Sequence, residues 1–392
     1  MNTVEQLTKG LHFGFIDEET TAMGQYAPKL VVNDYKNGVK VLSTIETELK
    51  DCTEFYFSVA FITNSGVQSI INMLDVLRIF DSKSLGSYYM FLKKYEKDFT
   101  VRFTPVQEQM LEYVSKKFAS GKRPHELVLL KTTMENPSDV WTVFSEVMNE
   151  KYGVKLTQLS RENLLHLMNN EFATGSNKKT YEKSVFIEDC DGKWQISRAF
   201  EEALKDRDFT EMLLELLDFG LYRWDKNYRN SYGKHGFCLN EKYTYEDVCR
   251  LLEWDKGEVA LNIGGYKYHA GTKTFPVFIN YHKDEDISDT IAYEDQFLSP
   301  SRLLAYSKSK RKVTSNDIVT IYNAVKLGVD IELFVRRDKN DAISKEFYYL
   351  GPIHAVGEPE GMVMKSNGLD IVRINYELEV PVREDVYQYI VM

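Results

Sequence analysis

The period of the hydrophobic pattern changes once along this chain, and that change limits the possible folds more than any other feature. From residue 81 to 232 apolar side chains recur at helical spacing, in segments near 87–97, 105–118, 125–134, 138–152, 158–170 and 209–224. Each such helix carries an apolar stripe that must be covered by another element. After Tyr232 the period becomes two: Val372, Ile374, Tyr376, Leu378 and Val380 alternate with Arg373, Asn375, Glu377 and Glu379, as in a strand with one buried face. Further strands are predicted over 275–281, 331–337 and 346–350. Pro276 restricts the first to a sheet edge or a strand start, because it has no N–H to donate. Two helices interrupt the strands. One covers 244–253 and opens on a Thr-x-x-Asp capping pattern; the other covers 316–327 and stops at Gly328.

Within the helical region, residues 184–197 read as two short strands around Asp191-Gly192, a strong hairpin signal. Ahead of it, residues 1–80 read as a small αβ unit. Val39, Leu42, Ile45 and Leu49 share one helical face, 55–62 is an aromatic and β-branched buried strand, and Ser65-Gly-Val-Gln68 is a capping box before Val67, Ile70, Ile71 and Leu74. The expectation is an α+β protein in three parts: the αβ unit 1–80, a helical domain 81–232 with its hairpin, and a β-rich domain 233–392. At 392 residues, two or three domains are what chain length allows.

Charge narrows the partners. The chain has 49 basic and 59 acidic residues, a net of -10, so nothing draws it globally toward nucleic acid or anionic lipid. Cys52, Cys190, Cys238 and Cys249 are far apart and lack metal-ligand spacing, which suits reduced thiols in the cytoplasm. No apolar stretch approaches the ~18 residues that cross a bilayer, so no membrane association is expected.

Two phosphate chemistries are missing from the sequence. A P-loop ends in Gly-Lys-Ser/Thr, whereas Gly-Lys at 121, 192 and 233 is followed by Arg123, Trp194 and His235. A phospholipase-D-type nuclease needs His-x-Lys, and none of the seven histidines has a lysine two positions on. No catalytic residue, cofactor or metal ligand is assigned. An acidic group, Tyr281-His-Lys-Asp284-Glu285-Asp286 with Glu294 and Asp295, reads either as a charged turn or as hard oxygen donors for Mg or Mn. The glycines at 264, 265 and 271 read as turn residues.

One stretch inverts the chain's charge. Ser299-Pro-Ser-Arg-Leu-Leu-Ala-Tyr-Ser-Lys-Ser-Lys-Arg-Lys312 holds Arg302, Lys308, Lys310, Arg311 and Lys312 with serine hydroxyls, Ser307 among them, and Arg336 and Arg337 end a nearby strand. Such groups bind phosphate oxygens, and equally make a solvated basic turn.

Several stretches resemble bacterial DEAD/DEAH-box superfamily II helicases that begin with a phospholipase-D-like nuclease domain and end in a C-terminal domain of unknown function. They are Tyr243-Thr-Tyr-Glu-Asp-Val-Cys-Arg-Leu-Leu-Glu-Trp254, Pro276-Val-Phe-Ile-Asn-Tyr-His-Lys283, Tyr293-Glu-Asp-Gln-Phe-Leu-Ser-Pro-Ser301, Leu333-Phe-Val-Arg-Arg337 and Phe347-Tyr-Tyr-Leu-Gly351. Pro28-Lys-Leu-Val-Val-Asn-Asp34 and Glu54-Phe-Tyr-Phe-Ser-Val-Ala-Phe-Ile-Thr63 look like the opening of the nuclease-like domain. The helicase motor between these ends is missing, as in an internally deleted or trimmed relative. The resemblance implies a helicase-associated, non-catalytic DNA-binding accessory protein of a restriction or phage-defence system. Two alternatives stand beside it: a metal-dependent nuclease using the 284–295 cluster, and a protein–protein adaptor or homodimer paired through an open sheet edge of the N-terminal unit.

Overall fold

The computed structural model describes residues 87–95, 99–282, 295–338, 346–364 and 367–391. The predicted αβ unit and the acidic residues Asp284, Glu285, Asp286 and Glu294 lie outside the described residues. Everything described falls in one compact unit of the chain.

The helical spacing becomes α1 (Tyr88–Tyr95), α2 (Pro105–Lys117), α3 (His125–Glu135), α4 (Val140–Tyr152), α5 (Gln158–Met168), α6 (Ser176–Thr180), α7 (Arg198–Ala203) and α8 (Arg207–Arg223), the last running into a π-helical turn. Local chemistry explains several ends. Pro105 stands in the first turn of α2, where its missing N–H costs nothing, behind a Thr104/Gln107 capping box. The predicted hairpin is β1 (Ile187–Cys190) and β2 (Lys193–Ile196), with both Asp191 and Gly192 at positive φ as a two-residue turn requires.

Gly121 fixes how α8 meets the loop before α3. A Cβ there would lie 2.4 Å from the Gly220 carbonyl oxygen and 2.7 Å from the Trp224 nitrogen, so only glycine permits the approach. The two residues after it, Lys122 and Arg123, are thereby pressed into the interior, where both are buried.

The β-rich part adds β3 (Lys242–Tyr243), α9 (Tyr245–Leu251), α10 (Ala260–Ile263), β4 (Thr274–His282), β5 (Gln296–Ser299), β6 (Arg302–Tyr306), α11 (Asn316–Tyr322), α12 (Ala324–Leu327), β7 (Asp330–Asp338), β8 (Phe347–Val363), β9 (Asp370–Leu378) and α13 (Glu384–Val391). The sheet order is β4-β7-β8-β9-β6-β5, with β3 beside β8. Among the described strands only β4 and β7 pair in parallel. Pro276 does sit on an end strand, as its missing donor demanded.

The β4, β7 and β8 part of this sheet is covered on both faces. Phe278, Phe334, Phe347 and Tyr349 join the core built by the helices, whereas Ile331, Leu333, Val335, Ile374 and Tyr376 form a second core with Val386 and Ile390 of α13. The mixed α+β class therefore holds, with one apolar core shared between helices and sheet.

Two predicted boundaries move. The strand expected to stop at Leu350 continues to Val363, because Gly351 at φ +99° accommodates a register shift opposite Leu333 instead of ending the strand. The helix expected over 316–327 breaks at Asn323, whose side-chain amide donates to the Val319 carbonyl at 2.8 Å and competes with the helical ladder.

Candidate nucleic-acid interface

The basic run divides into a strand and a loop. Arg302 opens β6 opposite Glu377 of β9, and its guanidinium lies 3.9 Å from that carboxylate, with the arginine 61% exposed. Ser307 directly follows the strand. Its N–H donates to the Val372 carbonyl, and its hydroxyl accepts from the Val372 N–H at 2.8 Å, so the hydroxyl is spent inside the sheet and is not offered to a ligand.

Beyond Ser307 the loop faces a turn on the other side of an open cleft of about 550 Å3. One wall is Tyr266, Lys267 and Tyr268; the other is Lys308, Arg311 and the stretch from Thr314 to Asp317. Gly264, left-handed at the end of α10, reverses the chain into the first wall, and a Cβ at that position would already touch the Lys308 side chain at 3.5 Å. The paired glycines predicted as turn residues are thus turn residues with a structural task.

Asp317 organises the second wall. Its Oδ2 accepts from Arg311 Nε at 2.6 Å and from the Tyr266 hydroxyl at 2.9 Å. Burial works against its charge, but those hydrogen bonds and the Arg311 cation outweigh it and hold the carboxyl below its ordinary value. The hydrogen bond to Asp317 in turn raises the Arg311 pKa.

Lys308 is placed differently. Its backbone N–H donates to the Tyr266 hydroxyl and its ammonium lies 4.8 Å from the centre of the Tyr266 ring. Among the described residues it has no ion-pair partner. Burial first, then the neighbouring Arg311 and Lys267 cations against the pull of Asp317, push its pKa below that of an ordinary lysine. Lys267 itself is paired with Glu258 at 2.6 Å.

The remaining candidates scatter. Lys310 is exposed at φ +63° at the loop tip, and the exposed Lys312 ammonium lies 3.7 Å from Asp370. Arg336 and Arg337 do not join the run, because β8 and β9 intervene between β7 and β6 in the sheet. Successive residues of a strand face opposite ways, so Arg336 stacks on Phe347 at 4.4 Å and donates to Asn280, while Arg337 lies over Tyr389 at 5.6 Å. Sequence reasoning missed Tyr266, Lys267, Tyr268 and Asp317. The signal present was Gly264-Gly265 directly before Tyr-Lys-Tyr, a turn presenting two aromatics and a cation.

Of the acidic group, Asp295 is described and accepts the Tyr306 N–H at 3.0 Å. Among the described residues no cluster of three or more His, Cys, Asp or Glu side chains could hold a metal ion. Nor is any described helix long and apolar enough to cross a membrane. Cys190 is exposed, and burial raises the thiol pKa of Cys238 to about 11.

Residues 69–230 match the family described as Domain of unknown function (DUF8090), and residues 237–390 match Domain of unknown function (DUF3427), each covering less than half of the chain. Neither description mentions a helicase or a phospholipase-D-like nuclease. No curated protein matches the chain significantly.

Proposed function

We propose that this chain is a non-catalytic DNA-binding accessory module that works beside a DEAD/DEAH-box helicase in a restriction or phage-defence system. The observation that carries the DNA-binding part is Lys308: an ammonium with no carboxylate partner among the described residues, set in a cleft beside Arg311 and Lys267, on a chain whose net charge is -10. Maintaining an unneutralised cation between two others costs electrostatic energy, which an incoming phosphate recovers. The helicase part rests on the resemblance of the stretches 243–254, 276–283, 293–301, 333–337 and 347–351.

The test is the salt dependence of binding to labelled oligonucleotides, single-stranded and duplex, followed by anisotropy. Lys308 and Lys310 lack ion-pair partners among the described residues. Each phosphate neutralised contributes about -0.7 on single strands and about -0.9 on duplex, so log affinity against log salt should have a slope of about -1.4 on single strands and about -1.8 on duplex. Binding to neither form at low salt, or binding indifferent to salt, overturns the reading.

A further inference from the structure

The cleft has features that an exposed basic turn does not need. Tyr268 lines it beside the cations, 38% exposed, with its ring stacked at 25° on the buried Phe275, 6.0 Å between centroids. One face of this aromatic is thus braced by the core. Opposite, Lys308 and Arg311 sit with Thr314, Ser315 and Asn316, side chains that donate to phosphate or sugar oxygens. At about 550 Å3 the space suits one nucleotide unit, within the range of small-ligand pockets.

These features distinguish between forms of DNA. A duplex keeps its bases paired and stacked inward, so its backbone can meet Lys310 and Lys312 at the rim but can offer no base to Tyr268. A single strand can lay a phosphate on Lys308 and Arg311 and turn the attached base onto the braced ring, the combination by which single-stranded nucleic acid is held without sequence preference. We propose that the cleft is a single-stranded DNA site that holds one nucleotide, with Lys308 and Arg311 on its phosphate and Tyr268 against its base. This rests on the DNA-binding reading and names the form of DNA and the residues that receive it.

The experiment compares a short labelled oligothymidylate with a duplex of equal length, on the full chain and on Tyr268→Ala, Lys308→Gln and Lys308→Arg. The single strand should bind about tenfold or more tightly. Tyr268→Ala should weaken single-strand binding about tenfold, since a base–aromatic stack is worth roughly 1–3 kcal/mol, and leave duplex binding unchanged. Lys308→Gln should weaken the single strand by a similar factor and Lys308→Arg should restore most of it. Tyr268 stands at the surface and Tyr268→Ala removes no buried hydrogen bond or ion pair, so this variant should fold and its result stands even where a Lys308 variant folds poorly. Equal affinity for the two forms, with Tyr268→Ala changing neither, overturns the cleft proposal while leaving DNA binding in place. Binding to neither form removes both, and tighter binding of the matching oligoribonucleotide overturns the assignment to DNA.

Discussion

Two short basic runs on loops meet opposite fates in this molecule. Lys122-Arg123 is sealed inside. The Lys122 ammonium lies 2.7 Å from Asp247 and 2.6 Å from Glu346, and Arg123 reaches Glu126 at 2.8 Å, Asn163 at 2.7 Å and the Arg250 carbonyl at 2.8 Å. Lys308 to Lys312 lies open, with Lys308 unpaired among the described residues and Lys312 near Asp370 at 3.7 Å. The letters of the two runs are alike, and what separates them is the carboxylates the fold delivers. Asp247 and Glu346 arrive from far along the chain to neutralise the first, fastening the helices to the sheet; the second is left with charge to spare. Buried cations with every donor placed hold structure, whereas a cation left uncompensated at a cleft is available to a ligand.

The comparison breaks most visibly if the buried run can lose a partner without harm. Glu126 is fully buried, bonded to Arg123 and 3.7 Å from Arg250. Glu126→Ala should therefore leave guanidinium charge uncompensated in the interior and cost about 3–5 kcal/mol in chemical denaturation. The same network resists acid. Burial alone would raise the Asp247 pKa, yet Lys122 and Arg250 outweigh it and set the carboxyl well below its ordinary 3.8. Its contribution is complete above that value and is lost only as pH falls through the depressed one. A Glu126→Ala chain as stable as the parent would show that these charges merely fill space.

Glu332 sharpens the contrast from the acidic side, being a buried carboxylate with no lysine or arginine at ion-pair distance among the described residues. The Tyr349 hydroxyl donates to it at 2.7 Å, while Asp330 and Glu379 face it with like charge, Lys234 with opposite charge, and the His235 ring lies 3.9 Å away. Burial chiefly, reinforced by those carboxylates against Tyr349 and Lys234, pushes its pKa up from 4.5 to about 7. A raised carboxyl pKa means the folded state holds the proton longer, so this group's stability contribution falls as pH rises from about 4.5 to about 7. Glu332→Gln keeps an acceptor for Tyr349 and should gain stability over the parent as pH rises through that window, by roughly 3 kcal/mol at most above it. A difference between the two proteins that stays flat with pH would refute the assignment.

Much of the scaffold was legible because it obeys local rules. The Asp191-Gly192 hairpin, the Thr244/Asp247 capping box, Gly328 at the end of α12 and Pro276 on an end strand are each decided by neighbouring residues. The long continuation of β8 was not, since Gly351-Pro352 reads as a stop and only pairing with β7 and β9 makes it a bulge. The candidate site was legible in part. Spacing could find the basic run, but it could not tell that the Ser307 hydroxyl is used up inside the sheet, that Arg336 and Arg337 belong to another strand pair, or that Tyr266 and Asp317, 51 residues apart, would meet across the same cleft. Those facts are tertiary, and they decide which cations remain available.

The smallest effect is the one that most directly joins the two halves of the comparison. Lys308 carries its charge against burial and against Arg311 and Lys267, so the folded state holds that proton less firmly than the unfolded chain. A lysine with a depressed folded pKa opposes folding wherever it is protonated in the unfolded state, and the penalty reaches its full size below the folded pKa. At neutral pH, then, Lys308→Gln should shift the denaturation midpoint slightly upward while weakening single-strand binding, the opposite of what loss of a structural lysine such as Lys122 would do. Stability given up at a binding site is a common cost of function. The gain should shrink in high salt, because the cleft is open to solvent and ions screen the three cations from one another. A midpoint that falls on Lys308→Gln would place Lys308 with Lys122 as a residue that holds the fold, and the cleft would lose its claim to a poised charge.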